Sequence, residues 1–181
     1  DCLLSRGLGD VYKRQTYYIP DSILIIGDKK DPEYWKDENA QTIINAFKTK
    51  MNAAGYTAVD KDDADLGLQV SYVASTYYFH GYYNDGPWWG YYPGYWYPGY
   101  WGGNWGGGWY YPYPITYSYS TGSLLADMIN LKNAPEGQKE KLTVVWNAYI
   151  SGLLGGSGSL NVNRTTTAIN QAFTQSPYLK K

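Results

Sequence analysis

DLGLQVSYVASTYYF, residues 65–79, alternates: Leu66, Leu68, Val70, Tyr72 and Ala74 fall to one side, Gly67, Gln69, Ser71 and Ser75 to the other. A period of two with one apolar row is the pattern of a half-buried β-strand. Its flanks decide what it pairs with. Upstream, from Asn39, the apolar positions Ala40, Ile43, Ile44, Phe47, Met51 and Ala54 recur at steps of three and four, one face of a helix, with Gly55 as the stop. Before that helix, TYYIPDSILII (16–26) is rich in β-branched and aromatic residues, and Pro20 and Asp21 mark a bulge, an edge or a bend within it. Between them, DKKDPEYWKDE is polar, and Asp31-Pro32 is placed to cap a first helical turn. A strand that reaches the next through a helix is most simply parallel to it, by a right-handed crossover.

Downstream, ITYSYSTGSLLADMINL alternates through Ile115, Tyr117 and Tyr119, slips phase at Gly122, and resumes through Leu125, Ile129 and Leu131, which predicts one strand bulged at Gly122. NAPEGQKE is a turn by composition. KLTVVWNAYISGLL then predicts a hairpin partner with Leu142, Val144, Trp146, Ala148 and Ile150 inward. GGSGS (155–159) reads as a flexible connection, and NRTTTAINQAFTQS puts Ile169, Ala172 and Phe173 on a helix face that Pro177 ends. Residues 16–179 thus read as a single two-layer α+β domain in the order β-α-β-β-β-α. Four strands form a mixed sheet, and two helices cover one face of it.

Into this domain is set an insertion over residues 80–114. Its stretch WWGYYPGYWYPGYWGGNWGGGWYYPYP (88–114) holds fourteen Trp and Tyr residues in twenty-seven positions, and Asp85 is the only formal charge between Tyr77 and Pro114. Such a surface offers no clamp for phosphate. Flat apolar faces with one polar edge suit stacking on sugar rings, packing on protein or a lipid headgroup boundary. Ordering a residue costs roughly 1–2 kcal/mol, and a fully buried large aromatic returns about 4–6 kcal/mol at ~25 cal/mol per Å². Docking is favourable only if many rings find a surface, so the insertion is expected to be a partly ordered, glycine-hinged hairpin extension that folds back on the sheet or on itself and leaves several rings exposed.

Composition narrows the partners. A net charge of −1 and a pI near 5.8 give no basic field for nucleic acid. With His80 the only histidine and Cys2 the only cysteine, no zinc spacing exists, and no metal or cofactor is expected. The run DKDDAD (60–65) lacks the glycine and glutamate that a calcium loop requires at its sixth and twelfth places, where Asp65 and Ser71 stand. It reads as a solvated turn, with Asp65 bonding backbone at the start of the strand. His80 has no nucleophile motif beside it, and neither GGSGS nor GGNWGGG has the lysine or the strand and helix context of a phosphate loop. No catalytic residues are assigned.

Residues 1–15, DCLLSRGLGDVYKRQ, share no periodicity with the rest of the chain. They resemble the adapter-derived peptide typified by GLGDVYKRQ at the ends of reading frames from assembled sequence data, and are read as non-native. Cys2 is then no candidate for lipidation.

A helix ending in AAGY, the strand opening Ala64-Asp65-Leu66, TGSLLADMINLK, KLTVVWNAYISG and a last helix running into QSPYL together resemble the bacterial envelope lipoproteins of domain-of-unknown-function family 4136, over about Thr16 to Leu179. The aromatic insertion is most similar to the Bacteroidales branch. The resemblance implies a lipoprotein on the outer membrane, facing the periplasm or the cell surface and held by an N-terminal lipid anchor that this chain does not contain. It transfers no activity and no functional residue. The expected function is non-enzymatic: the aromatic loop contacts another envelope protein or, alternatively, a neutral glycan such as peptidoglycan. Trp88, Trp89, Trp96, Trp101, Trp105 and Trp109 would be the ring platforms. In that setting Asp21-Ser22-Ile23 also matches the short sequon for O-glycosylation in Bacteroidales envelopes, with Ser22 the acceptor.

Overall fold

The structure is a computed structural model, and it describes residues 14–26, 33–74, 77–81, 109–110, 115–132 and 142–181. The non-native segment expected at 1–15 lies outside these residues except for Arg14 and Gln15. Most of the aromatic insertion lies outside them as well.

In chain order the elements are β1 (Thr16–Tyr18), β2 (Ile23–Ile26), β3 (Glu33–Trp35), α1 (Glu38–Ala53), β4 (Thr57–Ala58), β5 (Leu66–Val73), β6 (Tyr77–Gly81), β7 (Trp109–Tyr110), β8 (Ile115–Tyr119), β9 (Ser123–Asn130), β10 (Leu142–Ile150) and α2 (Val162–Thr174). A short 3-10 turn, Pro177–Leu179, comes last. The fold is α+β with a mixed sheet and two helices. The sheet is larger than the four strands expected: it runs β3-β2-β5-β9-β10-β7, and β1 and β4 pair beside β5 to bring it to eight.

Each departure has a local cause. Pro20 has no N–H to give to a ladder, so the 16–26 run breaks into β1 and β2, both parallel to β5 at successive heights: Tyr17 opposite Leu66, and Leu24 opposite Ser71. Glu33–Trp35 is a strand, not helix approach. It folds back antiparallel on β2, and the Trp35 ring meets Tyr72 edge-on at 5.8 Å. The helix cap is accordingly Asp37, whose carboxylate accepts from the Ala40 N–H at 3.0 Å, and not Asp31. Gly122 does more than bulge a strand. At φ +78° it turns the chain, so that β8 pairs with β6 in a separate two-stranded ladder while β9 joins the main sheet. The GGSGS connection is a closed turn: Gly155 N–H donates to Ser159 O at 2.7 Å, and the Arg164 guanidinium reaches the Gly152 and Leu154 carbonyls, each at 3.1 Å.

The expected parallel pairing across the helix and the expected β9–β10 pairing are both present. β1 and β2, before α1, run parallel to β5; β5 and β9 are antiparallel over eight pairs, and β9 and β10 form an antiparallel pair. Both helices pack on one face. Ile43, Ile44, Phe47 and Met51 of α1 and Ile169 of α2 join Leu66, Leu68, Val70, Leu124, Ala126, Met128, Trp146 and Ile150 in one core. Phe173 links the helices to the sheet, 6.3 Å from Phe47 and 5.3 Å from Trp146 between ring centres. Tyr17 reaches the same core and donates its hydroxyl to Asn52 Oδ1 at 3.0 Å. Trp146 donates its indole N–H to Ser176 Oγ, and Leu179 of the 3-10 turn is buried.

The phase of two strands differs from expectation. In β9 the core-facing residues are Leu124, Ala126 and Met128, not Leu125 and Ile129, because the turn at Gly122 restarts the alternation. In β10 the ladder skips Val145, so Val144 pairs with Ile129 on the opposite face while Trp146, Ala148 and Ile150 face the helices.

Candidate functional site

The sheet face opposite the helices carries the least expected chemistry. Paired residues share a face, and the register places Leu24 and Ile26 of β2, Gly67, Gln69, Ser71 and Val73 of β5, Ser123, Leu125, Asp127 and Ile129 of β9, and Val144, Asn147 and Tyr149 of β10 on it together. Strand β5 is therefore not half-buried. Gln69 is 3% exposed, Ser71 1% and Asp127 0%.

Across its middle, Gln69, Asp127 and Asn147 stand in one row on three adjacent strands. Asn147 Nδ2 donates to the Asp127 carboxylate, and Gln69 Nε2 donates to Ser71 Oγ at 3.2 Å. At the Ser123 end of the face, the Tyr149 hydroxyl meets Ser120 Oγ at 2.9 Å and Ser123 Oγ at 3.1 Å, and accepts from the Ser120 N–H at 3.0 Å. Desolvation pushes the Tyr149 phenol up, but these hydrogen bonds outweigh it and leave the pKa below the ordinary value. The cluster fixes the turn between β8 and β9 onto β10. One signal of this site is present in the sequence: a polar residue interrupts each of three apolar strands, in GLQVS, LLADMI and VVWNAY. Register alone shows that the three interruptions meet.

The acidic run is a turn. Asp63 N–H donates to Asp60 O at 3.1 Å in a simple turn. Asp65 leaves the run to hold the opposite end of the chain: its carboxylate accepts from the Gln15 N–H at 2.8 Å and the Thr16 N–H at 3.2 Å, and its own N–H donates to Thr16 Oγ1 at 3.0 Å. Desolvation raises its pKa, but the two backbone donors, the Thr16 hydroxyl and the Arg14 charge together bring it below the ordinary carboxylate value. Beside this clamp Lys181 N–H donates to Ala54 O at 3.0 Å, and its ammonium lies 4.4 Å from the centre of the Tyr56 ring. Among the described residues, no group of three or more His, Cys, Asp and Glu side chains is placed to hold a metal ion.

Of the six tryptophan platforms, Trp88, Trp89, Trp96, Trp101 and Trp105 lie outside the described residues. Trp109 opens β7, whose two residues pair in parallel with Leu142 and Thr143 at the start of β10. The segment is bracketed by β6 and β8, whose last pair is Gly81 with Ile115; His80 pairs with Thr116 in the same ladder. Ser22 is 4% exposed, beside an exposed Asp21 whose carbonyl accepts from Gln41 Nε2 at 2.7 Å, so the folded domain does not offer the Ser22 hydroxyl to solvent. Among the described residues, no helix is long and apolar enough to cross a membrane.

Comparison with known proteins supplies a family. The family model described as "Domain of unknown function (DUF4136)" matches residues 8–178. The crystal structure of a DUF4136 family protein from Bacteroides thetaiotaomicron is similar at 53% sequence identity and a TM-score of 0.77, covering 94% of this chain and 91% of that one. No curated protein matches. Carrying the family pattern over nearly all of its length, the chain belongs to the DUF4136 family.

Proposed function

We propose that this domain is a non-enzymatic component of the bacterial cell envelope, held at the outer membrane by a lipid on a cysteine preceding the domain, and that its aromatic insertion contacts another envelope protein. The observation that carries the reading is the make-up of residues 88–114, fourteen Trp and Tyr residues without a charge. A concentration of rings of that kind, broken by glycine and proline, provides contact area at low side-chain entropy cost and marks an interaction surface. In the chain the insertion falls between β6 and β8, strands that pair in a ladder separate from the helix-covered sheet.

A second reading keeps the same segment and changes the ligand. Six of the eight tryptophans lie between residues 88 and 109, a density suited to stacking on neutral sugar rings. Titration of the intact chain with neutral polysaccharides and with peptidoglycan fragments, read by tryptophan emission, separates the two. A saturable shift supports the glycan. No shift, together with an in-cell cross-link to an envelope protein that disappears when residues 82–108 are replaced by a short Gly-Ser link, supports the protein partner. Metabolic labelling of the natural gene product with an alkyne fatty acid tests the anchor: an unlabelled product recovered in the soluble cytosolic fraction would refute the location.

A further inference from the structure

The two sides of the sheet end differently. On one side β3 is three residues long and carries Glu33, with Lys36 and Asp37 directly after it, the short and charged form that discourages a further strand. On the other, β10 runs nine residues, Leu142–Ile150, without a charge or a proline. Among the described residues its outer side is paired only at Leu142 and Thr143, with β7. The direction of its backbone groups follows from the neighbouring ladders. Leu131 N–H donates to Asp65 O at 2.8 Å, so the odd-numbered residues of β9 turn N–H and C=O to β5 and the even-numbered ones turn theirs to β10. Met128 and Ala126 stand opposite Trp146 and Ala148, which therefore bond inward, and Asn147 between them directs its N–H and C=O to the outer side. Asn147 and Val145, the residue that the ladder skips, are both partly exposed. A long, uncharged edge of this kind is a template for another strand.

The helix beside it has the same character. Helix α2 lies against β10 and next to α1, and Phe173 turns toward α1, where it meets Phe47. Ala168 stands roughly 140° around α2 from Phe173, on the flank away from α1, with Ala172 one turn on. Both alanines are partly exposed, as is Ala148 on the helix-facing side of β10, so small apolar side chains border the strand edge. The one charge in α2 is Arg164, at its first turn, and its guanidinium is held by the Gly152 and Leu154 carbonyls. A two-fold axis sets a strand edge against its own equivalent, where any charge would meet its like. An edge and a flank without charge meet that condition, and alanines let two helices approach closely. We propose that the β10 edge and the Ala168–Ala172 flank of α2 form the interface of a two-fold dimer, in which β10 pairs antiparallel with β10 of a second copy and one sheet runs through both. A strand edge alone falls short of the about 800 Å² per partner that a stable interface buries, which is why the helix flank belongs to it. This interface is separate from the contact proposed for the aromatic insertion and uses none of its residues.

Sedimentation of the full chain tests it. At about 200 µM the chain is expected at twice its mass of 20.5 kDa. Val145→Lys and Ala168→Glu, each of which sets like charges across the axis, return it to monomer, whereas Thr49→Glu on the exposed side of α1 leaves the dimer intact. Hydrogen exchange reads the edge in the unsubstituted chain. The Asn147 amide is expected to exchange roughly tenfold more slowly in the dimer than after dilution to monomer, while the Ala148 amide, bonded to β9, is slow in both. A monomer at about 200 µM would overturn the proposal. So would a dimer that survives both Val145→Lys and Ala168→Glu, since the contact then lies elsewhere. Should both variants lose cooperative thermal unfolding, Asn147 decides: one exchange rate at every concentration rules out pairing at the β10 edge.

Discussion

Leu124 and Leu125 are chain neighbours, both without exposed surface, and they point to opposite faces of β9. Leu124 lies among Ile43, Phe47, Trp146 and Ile169 in a core closed by two helices, with no charged group in it. Leu125 stands level with Ser71 and Tyr149, two pairs along from the row of Gln69, Asp127 and Asn147 on the same face. An apolar face tolerates rearrangement as long as volume is kept, whereas a buried polar row demands that each donor and acceptor find its partner. The helix side therefore supplies bulk stability, and the opposite side supplies a geometrical requirement that few covers satisfy.

The sharpest way to break this comparison is to truncate both leucines. Leu124→Ala and Leu125→Ala are each expected to cost about 2–5 kcal/mol, the range for a buried leucine whose cavity does not collapse. Urea unfolding midpoints measure both. A Leu125→Ala loss under about 1 kcal/mol, beside a full loss for Leu124→Ala, would mean that the second face is covered only loosely.

Next comes the turn that sets the two leucines on their faces. Gly122 has φ +78°, and a Cβ there would sit 2.2 Å from Leu154 Cγ. Gly122→Ala combines left-handed strain with overpacking and is expected to cost about 2–4 kcal/mol in the same assay. The double variant Gly122→Ala with Leu154→Ala should regain part of that loss, the packing part, since the strain stays. No recovery would assign the whole effect to the backbone.

A smaller loss is expected from the polar row. Asn147→Leu removes one donor to the Asp127 carboxylate and should cost about 1–3 kcal/mol, the penalty for taking a hydrogen bond from a buried acceptor. If Asn147→Leu were neutral, the row would be incidental to the packing of the second face, and only its aliphatic rim would matter.

How much of this is legible in the sequence depends on the range of each signal. The helix at 38–53 and the strand at 66–73 are readable because periodicity is a local property and both segments run long enough to show it. The phases of β9 and β10 mislead because one turn and one bulge shift alternation by a residue, and a one-residue shift exchanges the faces. Strands β3, β4 and β7 hold two or three residues each, too few for any pattern, and exist because a longer neighbour offers them an edge. The tryptophans stand out by density alone. Gln69, Asp127 and Asn147, each unremarkable within its own strand, do not, because only pairing brings them together.

The smallest expected effect lies at the end of the sheet, outside both faces, and depends on pH. Asp65 ties Gln15 and Thr16 to the start of β5 through its carboxylate. Desolvation raises its pKa in the folded chain, but the backbone donors, the Thr16 hydroxyl and the neighbouring Arg14 charge outweigh it and hold the value below the ordinary one. A carboxyl with a depressed folded pKa binds protons more readily when unfolded. Its stabilisation is then complete above the unfolded pKa, near ~3.9, and is lost as pH falls through the lower folded value. The group is only partly buried, so salt and water weaken the effect. Thermal unfolding followed from about pH 6 down to about pH 2 should show Asp65→Asn with a shallower acid decline than wild type, the two curves converging at the acid end. Hydrogen exchange should place the difference at Gln15, Thr16 and Tyr17. Parallel curves offset by a constant amount would mean that Asp65 acts through its hydrogen-bonding shape, which asparagine partly keeps, and not through its charge.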